Sequence, residues 1–103
     1  MYADEINGFS IIASAIIDGS HGVILGESYR GSGDDFRKIN VVSTLPHPDE
    51  NPDYWHNGVY FDGPDSIKNE SDARALFLTR LSAGWAHEEE RRAEMIRNRR
   101  NRA

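Results

Sequence analysis

Between Phe9 and Leu45 the chain repeats one pattern three times, an apolar-polar alternation closed by a cluster of turn-forming residues, and this feature restricts its fold more than any other. From Phe9 to Ile17 the odd positions read Phe, Ile, Ala, Ala, Ile, while Ser10 and Ser14 fall on even ones. Asp18-Gly19-Ser20-His21-Gly22 follows as a turn, and Val23 to Arg30 then sets Val23, Leu25 and Tyr29 on one face. After a second turn, Gly31-Ser32-Gly33-Asp34-Asp35, the run Phe36 to Leu45 places Ile39, Val41 and Leu45 on one face and Lys38, Asn40 and Thr44 on the other. Three sequential antiparallel strands are therefore expected.

Leu45 to Asn57 breaks the rhythm with three prolines, three acids and two asparagines, and it reads as a long connecting loop. Val59-Tyr60-Phe61-Asp62 follows as a short fourth strand, with Phe61 and Val59 directed to the core and Tyr60 to the opposite face, and Gly63-Pro64-Asp65-Ser66 ends it. The period then changes from two to about 3.6: Ala73, Leu76, Phe77, Leu81 and Trp85 recur at helical steps, after a start that Asn69 or Ser71 can cap. Gly84 marks either a close contact or a break in that helix. The fold class that follows is α+β, an antiparallel β-meander of about four strands packed by a long C-terminal helix. Residues 1–90 form a single domain, and 91–103 a basic helical tail that continues the helix.

Size and composition narrow the function. A chain of 103 residues supports one domain that buries roughly two thirds of its unfolded surface, and 38 % apolar residues make its core a modest one. The chain has no cysteine, which excludes disulfides, thiolate nucleophiles and cysteine-bound zinc. The acidic N-terminal stretch lacks the positive charge of a secretory signal, and the run Ile11 to Ile17 is too short to span a bilayer, so a cytoplasmic protein is expected. The net charge of -5 is unevenly distributed: residues 1–90 hold 6 Lys/Arg and 16 Asp/Glu, whereas residues 91–103 hold 6 Arg and 1 Glu.

No nucleophile elbow, P-loop, zinc-protease or kinase signature is present, and Gly31-Ser32-Gly33 lacks the further glycine and helix of a phosphate cradle. Asp34 and Asp35 sit in a polar turn and give acid-base catalysis no specific support. No enzymatic activity, cofactor or metal is expected. The best metal argument, His47, Asp49, Asp53 and His56 in one loop, matches no recognised ligand spacing.

Binding is better supported. Tyr54, Trp55, Tyr60 and Phe61 concentrate aromatic side chains within eight positions, and the loop half of that cluster lies among acids. Asp49, Glu50, Asp53, Tyr54, Trp55 and His56 are accordingly the expected contacts to a protein partner, with loop aromatics as anchors. An acidic surface of this kind can compete for a basic nucleic-acid channel on its target. The reading is a small regulatory or inhibitory protein of the type that compact genomes, such as those of phages and mobile elements, encode. The alternative is nucleic-acid binding through Arg92, Arg97, Arg99 and Arg100 of the tail. Met95 and Ile96, apolar and stranded among charges, suggest contact with a second protein or a second copy of the chain.

Overall fold

In the computed structural model, which describes residues 2–46, 48 and 56–101, the meander is present with one short additional strand. The strands are β1 (Glu5–Ile6), β2 (Phe9–Ile16), β3 (His21–Arg30), β4 (Arg37–Pro46) and β5 (His56–Phe61), followed by the helix α1 (Ser66–Asn101). They form one curled antiparallel sheet in the order β1-β2-β3-β4-β5. Asn7 and Gly8 both take positive φ, 53° and 82°, between the paired residues Ile6 and Phe9. That is the two-residue turn whose twist suits a hairpin, and Asn-Gly is its usual sequence. In the next turn, Oδ1 of Asp18 accepts hydrogen bonds from the amides of Ser20 (2.7 Å) and His21 (3.0 Å).

The sheet is buried on both faces, where the alternation suggested a single core. Tyr2, Ile6, Phe9, Ile24, Ile39, Val41 and Leu45 pack together on one face. Val23, Leu25 and Val42 pack on the other, beneath Ala73 and Phe77 of α1. Curling lets the short β1 and the N-terminal segment close the first cluster: the Tyr2 hydroxyl donates to the carbonyl of Pro46 at 2.7 Å, and burial pushes its pKa up to about 12. β2 serves both cores through a bulge. Ile11 pairs with Gly26 and Ala13 with Leu25, so Ile12 is the extra residue and the side-chain alternation changes face there. Phe9 and Ile11 thus belong to the first cluster and Ala13, Ala15 and Ile17 to the second. Lys38, Asn40 and Thr44 do share a face, and the helix covers it, leaving Asn40 fully buried. Its Nδ2 donates to the carbonyl of Gly26 (3.2 Å), while its Oδ1 has no partner among the described residues.

The helix begins earlier than expected, and its cap differs. Asp65 accepts from the amides of Ile67 (3.0 Å) and Lys68 (3.1 Å), as an N-cap side chain does. Asn69 instead lies inside the first turns as a buried clamp: it accepts from the Gly63 amide (3.0 Å) and donates to the carbonyls of Lys38 (2.9 Å) and Gly63 (2.8 Å). Ser66 Oγ accepts from the Lys38 amide (2.8 Å), and the Lys38 ammonium lies 2.7 Å from Glu70. The start of α1 is therefore fastened to β4 at a single residue, Lys38. From there the helix crosses the sheet diagonally. Phe77 and Ala73 are buried, Arg80 reaches the Val42 carbonyl at 3.5 Å, and Gly84 meets Ile17 at the far end of β2.

Gly84 marks a contact and not a break. A Cβ built there would lie 2.6 Å from Cδ1 of Ile17, and α1 runs through it without interruption for 36 residues, about 54 Å at 1.5 Å per residue. Trp85, expected to continue the buried stripe, is 52 % exposed, because at about 100° per residue it lies on the flank of the helix, about a third of a turn from the buried Ala73 and Phe77. From Trp85 onward every residue whose side chain is described is exposed, so the last four turns project beyond the sheet. No described helix is long and apolar enough to cross a membrane.

Candidate functional site

The β3–β4 hairpin tip carries the most distinctive exposed chemistry of the sheet. Gly31 sits at φ +84° with the backbone of Asp35 folded against its Cα, a position closed to any residue with a Cβ. Gly33–Asp35 then forms one 3-10 turn, held by hydrogen bonds from the Asp35 amide to Ser32 (3.0 Å) and from the Phe36 amide to Gly33 (3.2 Å). Arg37 ties this loop to the end of β5, donating through Nε to Asp62 (2.7 Å) and through its guanidinium to the Asp35 carbonyl (3.1 Å).

The fixed loop brings together two aromatic rings from opposite strands. Tyr29 and Phe36 stack nearly parallel, 8° between planes and 5.6 Å between centroids, yet they remain 58 % and 59 % exposed. Tyr29 does share the face of Val23 and Leu25, but it lies beyond the start of α1, and nothing covers it among the described residues. Beside Phe36 a shallow hollow of about 230 Å³ is lined by Asp34, Asp35, Arg37, Asp62 and Pro64. Three carboxylates and one already paired guanidinium give this surface a negative field next to an apolar platform. Such a combination suits a protein segment that presents a cation next to an apolar or aromatic group.

The expected partner contacts Asp49, Glu50, Asp53, Tyr54 and Trp55 lie outside the described residues, as does His47. His56 opens β5, paired with Thr44, but its side chain is also outside the described part. That loop leaves the sheet at Pro46, at the other end of β4 from the tip and about 30 Å along the strand. Of the cluster's other members, Phe61 packs beneath α1 and Tyr60 lies on the opposite face, its ring 5.9 Å from that of Phe9. Among the described residues no group of three or more His, Asp or Glu is placed to hold a metal ion.

Arg92 and Arg97 are exposed on the projecting part of α1, and Arg99 and Arg100 follow within the helix, their side chains outside the described part. At about 100° per residue, Arg91, Arg92 and Arg97 point in three separate directions, so they do not line one face. The tip was missed in the sequence because Tyr29 reads as a core position and Gly31 to Asp35 as an ordinary polar turn. The readable signal was symmetry: one aromatic residue lies just before that turn and one directly after it. Comparison with protein-family models, curated proteins and solved structures gives no match to this chain.

Proposed function

We propose that the protein is a small, non-enzymatic regulatory or inhibitory protein that binds a basic surface of a protein target through the β3–β4 tip. The observation that supports this reading is the Tyr29–Phe36 stack, more than half exposed, on a loop that Gly31 lets fold tightly and Arg37 ties to the end of β5, flanked by Asp34, Asp35 and Asp62. A preorganised aromatic platform loses little conformational entropy on binding, which is why such residues dominate interface energetics. The adjoining carboxylates would steer it toward a cationic patch, and where that patch is a nucleic-acid channel, occupation blocks the channel.

The test is an affinity pull-down of the tagged full chain from its native cell lysate, divided into nuclease-treated and untreated halves. A protein retained in both halves, lost with Tyr29→Ser/Phe36→Ser and weakened by Asp34→Lys, is the expected result. Retention of the same protein by both tip variants would reject the site. Recovery that depends on nucleic acid and on Arg97, Arg99 and Arg100 would replace this reading with nucleic-acid binding by the tail.

A further inference from the structure

Four large apolar side chains stand exposed along α1 outside its sheet-facing stripe: Ile67 (84 %), Leu78 (61 %), Trp85 (52 %) and Ile96 (54 %). Their spacings are 11, 7 and 11 residues. Each of these steps is close to a whole number of turns, so the four share one line, about a third of a turn around the helix from the buried Ala73 and Phe77. The spacing is also palindromic. Reversing the helix about the point between Leu81 and Ser82 places Ile67 on Ile96 and Leu78 on Trp85.

The polar residues on that line obey the same symmetry. The reversal sets Arg74 opposite Glu89 and the neutral Ser71 opposite Arg92. A parallel pairing would instead oppose Arg74 to Arg74, Glu89 to Glu89 and Arg92 to Arg92. A slip of one turn would set Arg74 against Arg92. Unlike those two arrangements, the antiparallel register about residues 81 and 82 joins apolar with apolar, sets Arg74 against Glu89 twice, and opposes no like charges on the line.

We infer that this face of α1 binds a second copy of the chain, as an antiparallel, two-fold symmetric helix pair in which Leu78 of each protomer meets Trp85 of the other. A receiving surface exists: Ile17, Trp85, Glu89 and Arg92 line a hollow of about 410 Å³ beside the Trp85 ring. Residue i meets residue j and j meets i, as an isologous interface demands. The pairing also places the basic end of one helix along the acidic start of the other, where Asp62, Asp65, Glu70 and Asp72 lie. Antiparallel helix dipoles favour the same arrangement. Of the two residues that suggested self-association in the sequence, Ile96 is on the interface line, whereas Met95 is on the sheet-facing side. The surface is separate from the β3–β4 tip, and either assignment stands without the other.

The experiment is sedimentation equilibrium of the full chain across a dilution series, with circular dichroism as a check on folding. A concentration-dependent dimer is expected, and a monomer throughout the series overturns the inference. Arg74 and Glu89 are exposed, so their reversal leaves the fold intact. Arg74→Glu alone opposes two carboxylates at both symmetry-related contacts and weakens the dimer about ten-fold, and Arg74→Glu/Glu89→Arg restores it. Failure of the double variant to recover rejects this register. Because the chain has no cysteine of its own, Leu78→Cys mixed with Trp85→Cys reports the geometry directly. Disulfides between the two variants are expected, while a prevalence of 78–78 and 85–85 bridges would show a parallel pair and overturn the proposal.

Discussion

Lys38 is where the helix is anchored. Its amide donates to Ser66, its carbonyl accepts from Asn69, and its ammonium lies 2.7 Å from Glu70 and 3.6 Å from Glu27. Hydrogen bonding to Lys38 holds the Glu70 carboxyl below its usual range against the opposing effect of burial, and the same bond raises the Lys38 pKa. A carboxyl with a depressed folded pKa contributes stability that is complete above its unfolded value, about 4.3, and is lost as pH falls through the folded value. The raised pKa of Lys38 acts at the other extreme, since its contribution is lost only as pH rises above the ordinary lysine value. The pair is thus fully formed at neutral pH. Glu70→Gln is expected to lower the urea midpoint at pH 7, and the difference from the parent chain should shrink progressively as pH falls below the ordinary glutamate value. A gap that persists unchanged in acid would show that the side chain contributes by packing and not by charge.

At the scale of elements, α1 combines two parts with different physics. Its first five turns are held by burial of Ala73 and Phe77, by the Asp65 cap and by the Asn69 clamp, whereas along its last four turns every described side chain is exposed. Gly84 lies at the boundary. Alanine there gains about 1 kcal/mol of intrinsic helix preference, but its methyl meets Cδ1, Cγ2 and Cγ1 of Ile17 at 2.6, 3.1 and 3.2 Å. All three contacts belong to one side chain that is packed beneath the helix, so it cannot yield by moving its tip alone, and overpacking of this kind costs about 1–3 kcal/mol. Gly84→Ala is therefore predicted to destabilise the protein, and to become stabilising in the Ile17→Ala background. A thermal-unfolding double-mutant cycle measures the reversal, and additive effects of the two substitutions would contradict the contact. The helical period of residues 73–81 made this element readable. Its cap was less so, because Asp65, Asn69 and Ser71 are all good capping types, and only the position of β5 decides which of them faces free amides.

Across the whole molecule, a two-faced sheet and a projecting helix explain how a chain with 38 % apolar residues sustains a core and still displays apolar surface. The long dimension, 69 Å, is set by the helix and not by the sheet. Truncation after Glu90 removes only turns whose described side chains are exposed, so the sheet and its helix contacts should keep their stability to within about 0.5 kcal/mol. Hydrogen exchange on the truncated chain, measured below its association range, checks this. Lost protection in β3 or β4 would mean that the tail supports the sheet.

The sequence by itself determined the local periods, and with them the meander, the helix and the polar turns between them, because alternation and 3.6-residue spacing are properties of neighbouring residues. It also carried the helix palindrome and the paired aromatics around the Gly31 turn, as patterns without a stated meaning. Tertiary structure decided which face each period buries. The bulge at Ile12 moves half of β2 to the other core, and the curl of the sheet gives Ile24 and Asn40 interiors on opposite sides. It left Tyr29 and Trp85 in solvent although the sequence set them among core residues. The physical reason is that burial depends on what lies opposite a residue in space: α1 begins too late to cover Tyr29, and Trp85 points along the flank of the helix and not toward the sheet.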